Sequence, residues 1–198
     1  MAIITVTGNK GGVGKSTTAV HLATYLSDFG QTLLVDGDPN RTAIKWAERG
    51  SLPFKVADER QAVKLAREVE HVVFDTPARP ESNDLLELAK GCDLLILPTT
   101  PDLVSLEPML ETAAVLNTTN YFFLITIVPS YPSKRGEDMK NDLRTGKIPV
   151  FNTTVRMSDG FKTAAEEGVP VRQVKDSRKR AAWKDYEALG SEIMELLS

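Results

Sequence analysis

Residues 10–17 read Lys10-Gly11-Gly12-Val13-Gly14-Lys15-Ser16-Thr17, behind the apolar run Ile3-Ile4-Thr5-Val6-Thr7 and ahead of Ala19, Val20, Leu22, Ala23 and Leu26 at helical spacing. Strand, glycine-rich turn and helix start, in that order, place backbone N–H groups around an anion. The glycines let the backbone approach phosphate oxygens, Lys15 adds a mobile cation, and the Ser16 hydroxyl is a candidate Mg²⁺ ligand. A tight turn that merely caps a helix would not require lysine and serine to follow it. The candidate nucleotide ligands are therefore Gly11, Gly12, Val13, Gly14, Lys15, Ser16 and Thr17. By phosphate-loop geometry Lys15 bridges the β and γ phosphates and Thr17 donates to the α phosphate.

Such a loop needs a sheet behind it. Apolar runs at 2–7, 31–35, 71–75, 93–98 and 121–128 alternate with segments of helical spacing at 15–29, 41–48, 58–69, 81–90, 103–118, 135–145, 159–167 and 177–197. Near-continuous apolar strands are what a sheet covered on both faces requires, so the expected fold is α/β, a doubly wound, mostly parallel sheet with helices on both faces. At 198 residues, with no repeat or long linker, the chain reads as a single domain over 1–198. In this architecture ligands bind at the carboxyl ends of strands, where the loop, Asp36 to Asp38 and Asp75 to Pro77 all fall.

Composition narrows the function classes. Lys plus Arg number 24 against 27 Asp plus Glu, a formal charge of −3, so any nucleic-acid or anionic-membrane partner must meet a local patch. The single Cys92 permits no internal disulfide and no Cys-x-x-Cys metal site, and reads as a packed free thiol. Residues 1–7 carry no basic leader, and the longest apolar stretch, Tyr121 to Val128, is a strand and far below the ~18 residues of a membrane span. A cytoplasmic protein with no membrane partner is expected.

The common loop G-x-x-x-x-G-K-[ST] would place glycine where this chain has Asn9, and here a second lysine, Lys10, precedes the glycines. This K-G-G-x-G-K-[ST] string resembles the deviant loop of the ParA/MinD family of dimerising ATPases. Leu33-Leu34-Val35-Asp36-Gly37-Asp38-Pro39 is similar to that family's D-x-D-P motif, and Val72-Val73-Phe74-Asp75-Thr76-Pro77 to its Walker B strand. The resemblance implies a P-loop NTPase of the ParA-like (SIMIBI) kind whose cofactors are ATP and Mg²⁺. It implies that Asp38 orients the attacking water, and that Ser16, Asp38 and Asp75 serve the metal, partly through water. Asp36 either helps to hold the metal's outer shell or caps the turn that follows it. Lys10, Lys15 and Asp38 are thus the catalytic candidates, with Lys10 reaching across a two-fold interface to the partner's ATP in an ATP-dependent homodimer. Asp75 to Pro80 and the loop after Asp38 are candidate switches. Pro129, beyond the last apolar strand, is the candidate base contact.

From Arg156 to Lys184 eight basic residues meet four acidic ones, a local balance of +4 in an acidic chain. By itself such a run fits a solvated face. Resemblance to short ParA proteins, which lack an N-terminal helix-turn-helix, implies sequence-neutral DNA binding through Arg156, Lys175, Arg178, Lys179 and Arg180, and hence nucleoid association. It also implies a hydrolysis-stimulating adaptor, ParB-like or McdB-like, and a cargo that is a plasmid, a chromosome or a carboxysome. The competing reading is a MinD-like membrane switch. Against it, the last eight residues carry two acids and no base, and Trp183, Tyr186, Leu189, Ile193 and Leu197 have the spacing of a helix packed on its own domain. A small biosynthetic ligase of dethiobiotin-synthetase type would share the loop, whereas an iron–sulfur carrier would need more cysteines.

Overall fold

The computed structural model describes residues 1–78, 82–114, 116 and 118–198. Among these, β1 (Ala2–Gly8), β2 (Thr32–Asp36), β3 (Lys55–Asp58), β4 (His71–Ala78), β5 (Leu94–Thr99) and β6 (Tyr121–Ile125) form one sheet in the order β3-β2-β4-β1-β5-β6, with every pairing parallel. The helices are α1 (Lys15–Leu26), α2 (Thr42–Arg49), α3 (Glu59–Leu65), α4 (Ser82–Lys90), α5 (Leu103–Ala114), α6 (Arg135–Thr145), α7 (Asp159–Glu167), α8 (Ser177–Arg180) and α9 (Trp183–Leu196).

Alternate residues of each buried strand face opposite layers, and both layers are apolar, which explains why the strands read as unbroken hydrophobic runs. Ile4, Val6, Leu34, Val73, Ile96 and Leu124 pack under α1, α2, α7 and α9. Leu33, Val35, Val72, Leu95, Leu97 and Phe123 pack under α3 to α6. Because β4 inserts between β1 and β2, the connections leaving β1 and β4 diverge, and a crevice opens at the carboxyl ends of β1, β2 and β4.

The structure departs from the sequence expectations in particular places. β3 was not anticipated: it is a short edge strand paired only with β2, and Lys55-Val56-Ala57-Asp58 holds too few apolar residues to signal one. The run 121–128 yields a strand only to Ile125, since Ile127 adopts φ 53° and turns the chain away. The helix at 177–197 is two pieces, because Ala182 N donates to Lys179 O and Asp185 N to Ala182 O, three-residue spacings that tighten the backbone between α8 and α9. The segment 58–69 likewise closes in a 3-10 turn, Ala66–Glu68. Arg79 and Pro80 of the candidate switch, residue 81 of the helix expected at 81–90, and residues 115 and 117 of that expected at 103–118 lie outside the described residues.

Beyond β6 a strap, residues 149–157, lies alongside that strand without forming a regular ladder. Phe123 N donates to Pro149 O (2.9 Å), Phe151 N to Phe123 O (3.0 Å) and Val155 N to Ile125 O (2.9 Å). Val128 N then donates to Val155 O (3.0 Å) and Met157 N to Val128 O (2.8 Å). The strap thus reaches the carboxyl end of the sheet as a bulged, parallel edge segment.

Candidate functional site

The loop between β1 and α1 opens into a cleft of about 440 Å³. Gly12 (φ 80°) and Gly14 (φ 86°) take left-handed conformations that a Cβ would penalise, and Gly14 is the N-cap of α1. The free N–H groups of the first turn of α1 therefore point at the cleft, the arrangement that holds a phosphate. Gly11, Gly12, Gly14, Lys15, Ser16 and Thr17 line it as expected. Val13 is buried beneath the loop, and its carbonyl accepts from the Thr126 hydroxyl (2.8 Å), which ties the loop to the end of β6.

Asn9, the departure from the common motif, also fastens the loop. Its amide donates to Pro108 O (2.9 Å), and its backbone N–H reaches Met109 Sδ (3.2 Å) on α5. Lys10 leans the same way: its Nζ donates to the Ser105 hydroxyl (2.9 Å), beside Thr100 and Asp102. Hydroxyl donation from Thr100, then from Ser105, holds the Asp102 carboxyl below its ordinary value, with Lys10 adding to the effect. Lys15 Nζ donates to Lys10 O (3.2 Å), so the two lysines belong to one hydrogen-bonded loop.

Parallel register sets Asp36 of β2 beside Asp75 of β4 at the mouth of the sheet. Asp36 caps the backbone: Oδ1 accepts from Asp38 N (3.2 Å) and Oδ2 from Ile44 N (3.0 Å). Asp38 lines the cleft, with Oδ1 accepting from Asn40 N (2.8 Å). Asp75 is different in kind. It is fully buried and neither carboxylate oxygen has a hydrogen-bond partner. Burial, reinforced by the charges of Asp36 and Asp38, lifts its pKa to about 7, although the nearby Ser16 hydroxyl and Lys15 ammonium pull the other way. Burial correspondingly lowers the pKa of Lys15, opposed by Asp75 and Asp38.

A buried carboxylate without a hydrogen-bond donor suits a cation, and hard oxygen ligands beside phosphates suit Mg²⁺. Among the described residues no cluster of three or more His, Cys, Asp and Glu could hold a metal. That fits an ion completed by substrate phosphates and water instead of a protein cage. Ser16, Asp38 and Asp75 are the residues that would serve it.

The far end of the cleft is walled by Ile127, Val155, Arg156, Met157, Phe161 and Tyr186. Pro129 is not among the lining residues. The wall comes from Ile127, whose positive φ is rare for a β-branched side chain, together with the strap and α9. No motif announces these residues. Tyr186 was legible only as core, which it also is: its hydroxyl meets Thr18 Oγ1 (3.1 Å), and its ring stacks on His21 at 4.8 Å. His21 is fully buried beneath the loop. Its Nδ1 lies 2.7 Å from Thr17 O and its Nε2 accepts from Val171 N (3.0 Å), the pattern of a neutral ring protonated at Nδ1. Burial lowers its pKa to about 4.

The basic segment divides. Lys175, Arg178 and Arg180 are exposed, with Asp176 capping α8 through Arg178 N (2.8 Å). Lys179 is half-buried, its Nζ donating to Thr163 Oγ1 (2.9 Å). Arg172 is engaged by Asp28 and lies over the Trp183 ring. Arg156 is exposed as well, but it borders the cleft and forms a bidentate pair with Asp185 (2.6 and 2.7 Å). The apolar face of α9 is buried within the domain through Tyr186, Leu189 and Ile193, and among the described residues no helix is long and apolar enough to cross a membrane.

Residues 4–171 match the CobQ/CobB/MinD/ParA nucleotide binding domain. The chain is 35% identical over 201 residues to the maintenance of carboxysome distribution protein A of Gloeobacter kilaueensis, covering 96% of this chain and 93% of that protein. It is 26% identical to the protein of the same description in Halothiobacillus neapolitanus, covering 96% and 95%. Its backbone is similar to that of the MinD cell division protein of Aquifex aeolicus, with a TM-score of 0.76 at 15% identity over 98% of each chain.

Proposed function

The chain belongs to the CobQ/CobB/MinD/ParA nucleotide-binding family, and on that footing we propose that it is a ParA-type positioning ATPase whose nucleotide state governs attachment to DNA. It hydrolyses ATP with Mg²⁺. One observation carries the site assignment: Asp75 is buried with both oxygens unpartnered, within electrostatic reach of Lys15, Ser16 and Asp38, which line the cleft. Mg²⁺, when bound, neutralises phosphate charge there. Lys15 and the first-turn N–H groups of α1 hold the phosphate chain, Ser16 and Asp75 serve the ion, and Asp38, its carboxylate fixed by the Asn40 N–H, orients water. Hydrolysis is slow, because among the described residues Asp38 is the only carboxylate that lines the cleft.

Full-length similarity to two carboxysome distribution proteins supports a carboxysome or similar body as cargo, joined through an adaptor that stimulates hydrolysis. In the ATP state two copies meet face to face. Lys10 exchanges the Ser105 hydroxyl for the partner's phosphates, and Lys175, Arg178, Lys179 and Arg180 of both copies bear on DNA phosphates without reading sequence. The protein is then a nucleoid-associated one.

The test is retention on random-sequence DNA. Asp38→Ala with ATP stays bound, whereas the same protein with ADP washes off and wild-type protein releases as ATP is consumed. Retention that ignores the nucleotide would contradict the reading.

A further inference from the structure

The strap at 149–157 needs holding, because an edge segment with so few ladder bonds leaves N–H groups on its outer side. Helix α9 supplies two carboxylates for them. Glu192 accepts from Asn152 N (2.6 Å) and Thr153 N (3.0 Å), and Asp185 accepts from Arg156 N (2.9 Å) while pairing with the Arg156 guanidinium. The two anchors do different jobs. Residues 152 and 153 do not line the cleft, whereas Val155, Arg156, Met157 and Ser158 do. The glycine loop fixes the phosphate end, so the strap stands at the end left for base and ribose.

We propose that Asp185 positions the base end of the nucleotide cleft by clamping Arg156, and that Arg156 belongs to the ATP site and not to the DNA surface. The geometry gives three supports. The Asp185 side chain is only 12% exposed, so the charge pair is shielded from solvent on that side. Three hydrogen bonds converge on one carboxylate, one from the backbone and two from the guanidinium, which fixes both the path of the strap and the direction of the arginine. The adjacent residue, Tyr186, lines the same cleft and bonds Thr18 on α1, so consecutive residues of α9 hold two walls of one pocket. Arg156 gives its Nε and Nη2 to Asp185, which leaves only the half-exposed Nη1 side of the guanidinium for another acceptor.

The inference rests on the cleft being the ATP site, which the wild-type KM for ATP checks separately. Steady-state hydrolysis and DNA retention are measured on full-length variants, each first shown to unfold cooperatively. Asp185→Ala removes the clamp and raises KM about tenfold while lowering kcat less than twofold, since charge-assisted bonds of this kind are worth about that factor. Asp185→Asn still offers an acceptor to Arg156 N, and its KM falls between wild type and Asp185→Ala. Glu192→Ala loosens the strap away from the cleft, and so lowers thermal stability with KM within twofold of wild type. Arg156→Ala raises KM severalfold yet retains DNA at saturating ATP. A KM within twofold of wild type for folded Asp185→Ala overturns the proposal, as does an equal KM rise in Glu192→Ala. Loss of DNA retention by Arg156→Ala at unchanged KM also overturns it and returns that arginine to the DNA surface. If Asp185→Ala does not fold, Asp185→Asn and Arg156→Ala decide the matter by the same criteria.

Discussion

Replacing Asp75 by Asn should make the nucleotide-free protein more stable, and only at neutral to alkaline pH. The folded-state pKa of about 7 lies above the ordinary 3.8 of the unfolded chain. As pH rises, the unfolded chain gives up its proton first, so the folded state loses stability between these two values and stays penalised above them. At ~1.4 kcal/mol per unit the penalty is roughly 4 kcal/mol at about pH 8, less than half of that at about pH 5, and nearly absent below about pH 3. Asparagine abolishes it, but its buried amide finds no acceptor and gives back ~1–2 kcal/mol. The net gain is about 2–3 kcal/mol at about pH 8, or roughly 4–12 °C in Tm for a chain of this size, and near zero at about pH 5. Wild type alone hides the effect. His21, buried with a pKa of about 4 against an ordinary 6.5, loses stability as pH falls through the same window and offsets Asp75. The assay is urea unfolding of both proteins across this range without nucleotide, then with Mg-ATP, which should stabilise wild type far more than the variant. A variant no more stable than wild type at about pH 8, or a pH-independent difference, would refute the reasoning.

Gly168 closes α7 at φ 70°, and an added Cβ would sit 2.2 Å from Gly50 N, so Gly168→Ala should cost at least about 2–4 kcal/mol in urea unfolding. Lys10→Ala should leave the affinity of a single copy for ATP within about threefold of wild type, because there its Nζ contacts Ser105 and does not line the cleft, yet abolish the ATP-dependent rise in mass by light scattering. Replacing Arg178, Lys179 and Arg180 together by Ala removes three phosphate contacts per copy. DNA retention should vanish at ~0.15 M salt, and the log–log salt slope should shrink by about five for a dimer, while ATP still binds.

What the sequence disclosed follows from what physics makes local. The loop at 10–17, Asp38 and Asp75 are each set by a strand end and the residues that directly follow, so motif and geometry coincide. Five strands were legible: the four interior ones because burial on both faces makes them apolar throughout, and β6 because Phe123, Leu124 and Ile125 are fully buried. β3 was not, being four residues long at an edge, and neither was the bulged strap, whose donors are satisfied by Asp185 and Glu192, about 30–40 residues downstream. The base end escaped notice for the same reason. Ile127, Arg156 and Tyr186 meet only through tertiary packing, and Arg156 in sequence is indistinguishable from its solvated basic neighbours. Asp36 shows the reverse limit: its motif is plain, but the cap it forms depends on Ile44 N, eight residues on.

If ATP itself draws two copies together and thereby onto DNA, sedimentation of Asp38→Ala with Mg-ATP and with Mg-ADP will separate the two states. The expected result is twice the monomer mass with ATP, the monomer mass with ADP, and co-migration with DNA only for the heavier species. Equal mass with both nucleotides would contradict it.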